Sequence, residues 1–227
     1  MIVSIHQPQF LPYLGFFHKV AHSDLYVVLD DVQFLERGFQ HRNLIKMQTG
    51  KQWLTVPVVG KHLQRTDEVM IDSSTNWRRK HWAALESNYR PAPFWGELSP
   101  GLKAILVEGG RTRLAELDMD LMRWAFAALG IEVPIRFSSE LGVEGTQTAR
   151  LVSVCQAVGA DVYLSGQGGR QYMELGLFEA AGVEVRFQEY ATREYPQQFM
   201  KHGFVPHLAV VDAVFNCGGP GTRALFG

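Results

Sequence analysis

His6 is the residue near the amino terminus whose side chain could carry out proton chemistry. It follows an apolar segment, residues 1–5, and the ordinary histidine pKa of about 6.5 lets small changes in surroundings decide its charge at neutral pH. Such an imidazole can act as a general acid, a general base or a phosphate contact. We expect His6 to be catalytic and the adjacent Gln7 to contact the substrate; the alternative is a histidine that is only hydrogen-bonded in place.

Asp30 and Asp31 are adjacent carboxylates that follow a second apolar segment, residues 25–29. Paired oxygen ligands suit Mg²⁺, a cation that also holds phosphates, and a carboxylate can orient a substrate hydroxyl or amine. The alternative is that one aspartate caps a turn while the other is solvated. We expect catalytic roles for both, with ATP and Mg²⁺ as the cofactors that this chemistry would admit, and we assign no dedicated metal ligands.

Two further segments carry groups that could bind phosphate. A cationic segment, residues 37–46, is expected to be a loop and contains guanidinium and ammonium groups. Guanidinium groups bind phosphates and carboxylates in a bidentate way. A glycine-rich segment, residues 165–169, follows another apolar stretch, and glycines let the backbone approach a phosphate closely. A solvated basic loop and a simple tight turn are the alternatives. The residues expected to contact substrate or phosphate are Arg42, Asn43, Lys46, Ser165, Gly166 and Arg170.

The order of the apolar segments explains why these residues should meet. Strand-like stretches at residues 1–5, 25–29, 133–137 and 162–164 alternate with helical patterns, which predicts parallel strands joined by right-handed crossovers. Ligands of such sheets bind beyond the carboxyl ends of the strands, where the strand order reverses. Three other polar residues near the ends of predicted strands are therefore also expected to contact substrate: Gln33, Ser138 and Glu140.

The predicted fold class is α/β, a Rossmann-like parallel sheet with helices on both faces. We expect a single domain, residues 1–227, with a large and mostly helical insertion at approximately residues 35–130 that partly covers the site. Within the insertion we expect a strand at residues 53–59 and a helix that begins at residues 77–82, whose two tryptophans would allow a homodimer surface. A further helix is expected from about residue 170 to Gly182.

Composition excludes several classes of protein. Lys and Arg total 22 and Asp and Glu total 23, so the net charge of −1 argues against a nucleic-acid partner. No apolar run reaches the length of about 18 residues that a membrane helix needs, and we expect no membrane insertion and a cytoplasmic location. Two cysteines do not make a disulfide framework. The expected partner is a small molecule.

Short motifs along the whole chain together resemble the WbqC-like protein family. They are residues 6–15 (HQPQFLPYLG), 29–34 (LDDVQF), 42–43 (RN), 77–82 (WRRKHW), 138–142 (SSELG), 163–166 (YLSG) and 215–218 (FNCG). The resemblance implies a role in bacterial O-antigen or other surface-polysaccharide biosynthesis. It also implies a transferase that places an aminoacyl group, glycyl in one proposal for the family, or an acyl group on an amino sugar that is linked to a nucleotide.

Two alternatives to this transferase stay open at the level of sequence. The layout is distantly similar to that of pantothenate synthetase, which would imply a ligase that uses ATP to adenylate a carboxylate; Gly15 and His18 only partly match the histidine turn of those enzymes. The other alternative is a non-catalytic module that binds a nucleotide or sugar for a partner enzyme. Pyrophosphate release separates the ligase from the transferase, and the absence of any turnover identifies the binding module.

Overall fold

A computed structural model describes residues 1–60 and 63–226, which form nine strands and seven α-helices. The strands are β1 (Ile2–His6), β2 (Leu25–Val28), β3 (Arg42–Met47), β4 (Gly50–Thr55), β5 (Val58–Val59), β6 (Met70–Ile71), β7 (Ile135–Phe137), β8 (Val162–Ser165) and β9 (Glu184–Phe187). The helices are α1 (Leu14–Ala21), α2 (Trp77–Tyr89), α3 (Trp95–Lys103), α4 (Leu114–Leu129), α5 (Gln147–Val158), α6 (Leu175–Ala180) and α7 (Val210–Arg223).

The central sheet contains five parallel strands in the order β7-β2-β1-β8-β9. The chain runs outward from β1 through β2 to β7, then crosses back so that β8 pairs with the other edge of β1. This order confirms the predicted Rossmann-like α/β class. The strand order reverses between β1 and β8, and a crevice is expected beyond their carboxyl ends.

Helices cover both faces of the sheet because successive side chains of a strand point to opposite faces. Tyr26 and Val28 of β2 pack on one face in a core that α1, α4 and α7 complete. Val27 of β2 and Ile5 of β1 pack on the other face against α5 and α6. Helix α5 ends before Gly159, which adopts the left-handed conformation, with φ of 68°, that favours glycine.

The insertion differs from the prediction in two of its elements. The strand expected at residues 53–59 is divided into β4 and β5, because Pro57 lies between them and cannot continue a strand ladder. The cationic segment expected as a loop is the strand β3, which pairs with β4 in an antiparallel hairpin. Asn43 and Lys46 are both buried although they lie on opposite faces of β3, so polar residues occupy buried positions and the sequence shows no alternating strand pattern there.

The helix expected from about residue 170 is also shorter than predicted. A 3₁₀ turn covers Gln167–Gln171, and α6 begins only at Leu175. The glycines of the turn are poor helix formers, so the helix starts where the glycine-rich segment has ended. Within the described residues, no helix is long and apolar enough to cross a membrane.

Candidate functional site

A cavity of about 550 Å³ lies at the carboxyl ends of β1 and β8, and we call it the switch-point cavity. The two strands pair directly in the sheet, so the residues that follow them form facing walls. Helix α1 closes a third side. The wall contains Ile5, His6, Gln7, Gln9, Tyr13, Gly15, Phe16, Lys19, Leu29, Leu151, Tyr163, Ser165, Gly166, Gln167, Gly168, Gly169, Gln171, Tyr172, Gln188 and Tyr190.

His6, the last residue of β1, is a neutral imidazole at physiological pH. Burial and the nearby positive charge of Lys19 lower the pKa of His6 to about 3. Its Nδ1 lies 3.0 Å from the backbone carbonyl oxygen of Gln7, and because a carbonyl only accepts hydrogen bonds, Nδ1 carries the proton. Nε2 is therefore the ring nitrogen that can accept a proton. The ring packs edge-on against Phe16 at a centroid distance of 5.6 Å, which fixes its orientation.

Lys19 on α1 is a buried cation in the same wall. Its relative exposure is 4%, and burial lowers the pKa of its ammonium group to about 8. The residue lies one helical turn after Gly15, and both therefore lie on the face of α1 that meets the cavity. Of the residues that line the cavity, Lys19 is the one charged side chain at neutral pH, and no Asp or Glu lies among them.

The glycine-rich turn after β8 forms the opposite wall. Ser165 is buried, and its hydroxyl donates to the Gly166 carbonyl at 3.1 Å. Gly169 is required for packing, because a Cβ there would lie 2.4 Å from Ser165 Oγ. Gly166 and Gly168 have open space where a Cβ would stand, and neither has a positive φ.

Amide and phenol groups complete the site. Gln188 follows β9 directly, and its Nε2 donates to the Gly15 carbonyl at 2.7 Å and to His18 Nδ1 at 2.8 Å. Gln7 is held from two sides: Gln40 donates to its Oε1 at 2.6 Å, and its own Nε2 donates to the Gln33 carbonyl at 3.1 Å. These bonds fix polar groups around the cavity before a ligand arrives.

Asp30 and Asp31 do not line this cavity. Asp30 accepts hydrogen bonds from the Ser139 hydroxyl at 2.7 Å, the Ser139 amide at 3.0 Å and the Ser138 hydroxyl at 3.1 Å. Asp31 accepts from Ser138 at 2.5 Å and pairs with Arg150. The two aspartates therefore join the carboxyl ends of β2 and β7 to α5. Asp30 also borders a second cavity of about 320 Å³ on the α4 face.

The residues of β3 lie outside the switch-point cavity. Asn43 donates to the carbonyl oxygens of Phe10 and Leu11 and so holds the segment between β1 and α1 in place. The guanidinium group of Arg42 lies over the Trp53 ring, 4.3 Å from its centroid. Lys46 is fully buried and donates to Gln197 and to the Gly203 carbonyl.

The remaining predicted contacts fall into two groups. Ser165, Gly166, His6 and Gln7 meet in the cavity. Gln33 does not line it, but its backbone carbonyl accepts a hydrogen bond from Gln7. Others lie elsewhere: Ser138 is buried against the aspartates, Glu140 is exposed, and exposed Arg170 stacks on Phe187. Of the two α2 tryptophans, Trp77 is buried and the half-buried Trp82 packs against Trp95, and the homodimer surface stays a prediction.

The protein-family comparison decides the kinship of the chain. The model of the WbqC-like protein family matches residues 7–224. The chain belongs to the WbqC-like family. A relative from Mycobacterium tuberculosis, the uncharacterized protein Rv1507c, is 34% identical over 219 residues, which cover 95% of this chain and 94% of the relative. No solved structure matches the chain.

Neither aspartate of this WbqC-like chain is free to receive a magnesium ion. The Ser139 hydroxyl and amide donate to Asp30, and the Ser138 hydroxyl shares its one proton between Asp30 and the nearer Asp31. Arg150 already supplies a positive charge to Asp31. Within residues 1–60 and 63–226, no group of three or more His, Cys, Asp and Glu side chains is placed to hold a metal ion. No step of a reaction is therefore assigned to a metal ion.

Sequence reasoning missed several residues of the site. Gln188 follows the carboxyl end of β9, so the rule that located His6 and Ser165 also predicts it once β9 is included in the sheet. Lys19 has a weaker signal, its position four residues after Gly15 on α1. Tyr13 lies directly before α1 and Tyr190 lies after β9, and no local pattern marks either as a site residue.

Proposed function

We propose that the switch-point cavity is the active site of a transferase in surface-polysaccharide biosynthesis. The enzyme would place an acyl or aminoacyl group, glycyl as the leading case, on the amino group of a nucleotide-linked amino sugar. The observation that carries this proposal is the neutral imidazole of His6 in the cavity, with its proton on Nδ1 and an unprotonated Nε2 that can accept a proton or a hydrogen bond. Membership of the WbqC-like family suggests a protein related to polysaccharide biosynthesis.

His6 would act as the base when the sugar amine attacks the activated carbonyl carbon. The new C–N bond forms, the carbonyl electrons move to oxygen, and the nitrogen becomes an ammonium group. His6 Nε2 would take one proton from this ammonium group. The oxyanion then re-forms the carbonyl and expels the donor's leaving group, which takes the proton from His6.

The size and lining of the cavity support a sugar derivative as the ligand. Its volume of about 550 Å³ lies within the usual range for small-molecule sites, about 300–1,000 Å³. Its five glutamine side chains offer both donors and acceptors for hydroxyl groups: Gln7, Gln9, Gln167, Gln171 and Gln188. The tyrosines of the cavity wall supply flat apolar surfaces for a sugar ring or a nucleotide base: Tyr13, Tyr163, Tyr172 and Tyr190. The donor would arrive as a thioester or another activated ester.

In this proposal the predicted catalytic aspartates are positioning residues. Asp30 and Asp31 hold the ends of β2 and β7 and the start of the Ser138 turn through hydrogen bonds. That network fixes the strand ends next to β1, and therefore the backbone from which His6 projects. Substitution of either aspartate would act on the reaction through this geometry.

A ligase that adenylates a carboxylate with ATP is the second candidate. It is favoured by the glycine-rich turn at the carboxyl end of β8, where backbone amides can contact nucleotide phosphates. The two candidates differ in their products, since the ligase releases pyrophosphate from ATP and the transferase does not. A coupled pyrophosphate assay with and without glycine distinguishes them.

The decisive experiment compares His6→Gln with His202→Gln, a control at an exposed histidine outside the cavity. Transfer from acyl and glycyl thioesters to nucleotide-linked amino sugars is measured by mass spectrometry. We expect His6→Gln to lose about 10²- to 10⁴-fold in rate and to keep the thermal stabilisation by the sugar nucleotide. Equal activity of the two variants would overturn the role of His6. Binding without turnover for any donor would favour the non-catalytic module.

A further inference from the structure

Lys19 is a buried positive charge that the protein itself does not neutralise. Its relative exposure is 4%, and no hydrogen bond or ion pair joins its ammonium group to another described residue. Nζ is not among the fully enclosed polar atoms that lack a partner, so the ammonium group opens into the cavity. An unpaired charge in such a place costs stability, and buried charges in proteins are normally paired. The other buried lysine, Lys46, follows this rule with two acceptors. Lys19 departs from this rule, and we therefore expect its partner to be a ligand from outside the chain.

The position of Lys19 indicates where that partner binds. The residue lines the switch-point cavity, in which no wall residue is Asp or Glu and His6 is neutral at pH 7. The cavity therefore carries one net positive charge, which a negatively charged ligand group would balance. An apolar side chain of the same length would fill the same volume without the cost of the charge, so packing alone does not account for a lysine here.

The glycine-rich turn provides an independent observation in the same cavity. Gly166 and Gly168 both line it, neither has a positive φ, and nothing lies within 4 Å of the position of an added Cβ. Neither backbone conformation nor protein packing therefore requires glycine at these two positions. Where backbone without side chains faces a cavity, a ligand can approach the backbone amide groups closely, as in phosphate-binding turns.

We propose that Lys19 and the Gly166–Gly168 turn form a phosphate-binding subsite for the diphosphate of a nucleotide-linked substrate. The inference rests on the proposed function, because it assigns the ligand's phosphates to that same cavity. An ammonium group binds phosphate as a point charge, whereas planar carboxylate recognition favours the forked guanidinium of arginine. The subsite replaces the phosphate contact predicted for Arg42, whose guanidinium group stacks on Trp53.

Calorimetric titration with pyrophosphate tests the subsite without any turnover. Lys19→Met removes the charge and keeps an unbranched apolar side chain, and Lys80→Met is the matched control at an exposed lysine of α2. We expect Lys19→Met to weaken pyrophosphate binding about 10- to 100-fold, the usual effect of losing a hydrogen bond to a charged group. Lys80→Met should bind as the wild type does. Malonate, a dicarboxylate of similar size, should bind the wild type more weakly than pyrophosphate.

A second variant tests the turn independently. Gly168→Ala adds one methyl group toward the cavity, and Gly176→Ala makes the same change in open space on α6. We expect Gly168→Ala to weaken pyrophosphate binding at least about tenfold, and Gly176→Ala to leave it unchanged. Both alanines fit the backbone conformation, so both variants should fold.

Three outcomes would overturn the subsite. They are a wild type that does not bind pyrophosphate at about 10 mM, equal pyrophosphate affinity of Lys19→Met and Lys80→Met, and tighter binding of malonate than of pyrophosphate. The proposed transferase fails separately, since it depends on turnover and on His6. Loss of pyrophosphate binding in Lys19→Met together with full activity of His6→Gln would support the subsite and reject the base.

Discussion

At the scale of single residues, the two buried lysines show how surroundings decide what a charge does. Lys46 donates to Gln197 at 3.0 Å and to the Gly203 carbonyl at 2.6 Å. Burial lowers the pKa of its ammonium group, and the charge of Asp212 opposes that shift. Lys19 has neither kind of partner and faces a cavity. The same side chain is thus structural in β3 and available to a ligand in α1.

The substitutions Lys46→Met and Lys19→Met should therefore change stability in opposite directions. We expect Lys46→Met to lower the free energy of unfolding by about 2–4 kcal/mol, because Gln197 and Asp212 lose a buried partner. Lys19→Met should raise it by about 1–3 kcal/mol in the absence of ligand, since an unpaired buried charge is removed. Urea unfolding monitored by circular dichroism measures both at pH 7.

The pH dependence of stability separates the charge of Lys19 from its packing. The pKa of Lys19 is lowered from 10.5 to about 8 in the folded protein, so between these values the folded state has lost a proton that the unfolded state keeps. The contribution of Lys19 to the free energy of unfolding must therefore increase as the pH rises from 8 to 10.5. Lys19→Met should lack that rise. A wild type and variant with parallel pH profiles would contradict the assignment of an unpaired charge.

At the scale of secondary-structure elements, α4 and α7 cross in contact at Gly219. A Cβ at this position would lie 1.8 Å from the backbone carbonyl oxygen of Ala128 in α4, a distance that no side-chain adjustment can relieve. The preceding Gly218 has φ of 70° and ψ of 174°, which interrupts the helical geometry of α7 just before the crossing. Close approach of two backbones is a role that glycine alone can fill.

Gly219→Ala should accordingly be among the most destabilising single-methyl changes in the chain. We expect a loss of at least about 3 kcal/mol in the free energy of unfolding, because the helices must separate to admit the methyl group. Gly176→Ala adds the same group on α6 with nothing within 4 Å and should gain up to about 1 kcal/mol from helix propensity. Similar urea midpoints for the two variants would show that α4 and α7 do not meet in this way.

At the scale of the whole molecule, the insertion and the sheet share one core. Tyr26 and Val28 of the sheet pack in the same cluster as Leu85, Leu102 and Leu117 of the insertion. The insertion therefore has no separate core of its own on that face, and α7, after β9 in the chain, returns to pack against α3 and α4. Such an arrangement predicts that neither part unfolds without the other.

A single cooperative unfolding transition is the expected result. All five tryptophans lie between residues 53 and 124, within the insertion, and Trp95 and Trp124 contact Phe215 of α7. Their fluorescence therefore reports on the insertion and its contact with α7, whereas far-ultraviolet circular dichroism reports on every helix and strand. We expect the two signals to give the same midpoint in urea, with a calorimetric enthalpy equal to the van't Hoff enthalpy. A fluorescence transition at lower urea concentration would show that the insertion folds as an independent domain.

Sequence patterns alone were enough to predict the fold class and the family. Alternating apolar segments favour a parallel sheet covered by helices, and polar residues directly after β1 and β8 then lie at one edge of it, where His6, Gln7, Ser165 and Gly166 line the same cavity. These conclusions depend on local periodicity and strand direction, which can be inferred from the sequence alone.

Tertiary contacts determine which charged residues reach the cavity. Asp30 and Lys46 have the residue types of a binding site, yet hydrogen bonds to Ser138, Ser139, Gln197 and Gly203 occupy them, and those partners come from distant parts of the chain. Lys19 lies in an ordinary helical pattern and becomes the charge of the cavity wall because α1 crosses the end of β1. Whether a buried polar group is satisfied depends on partners that only folding brings near, and local sequence does not record them.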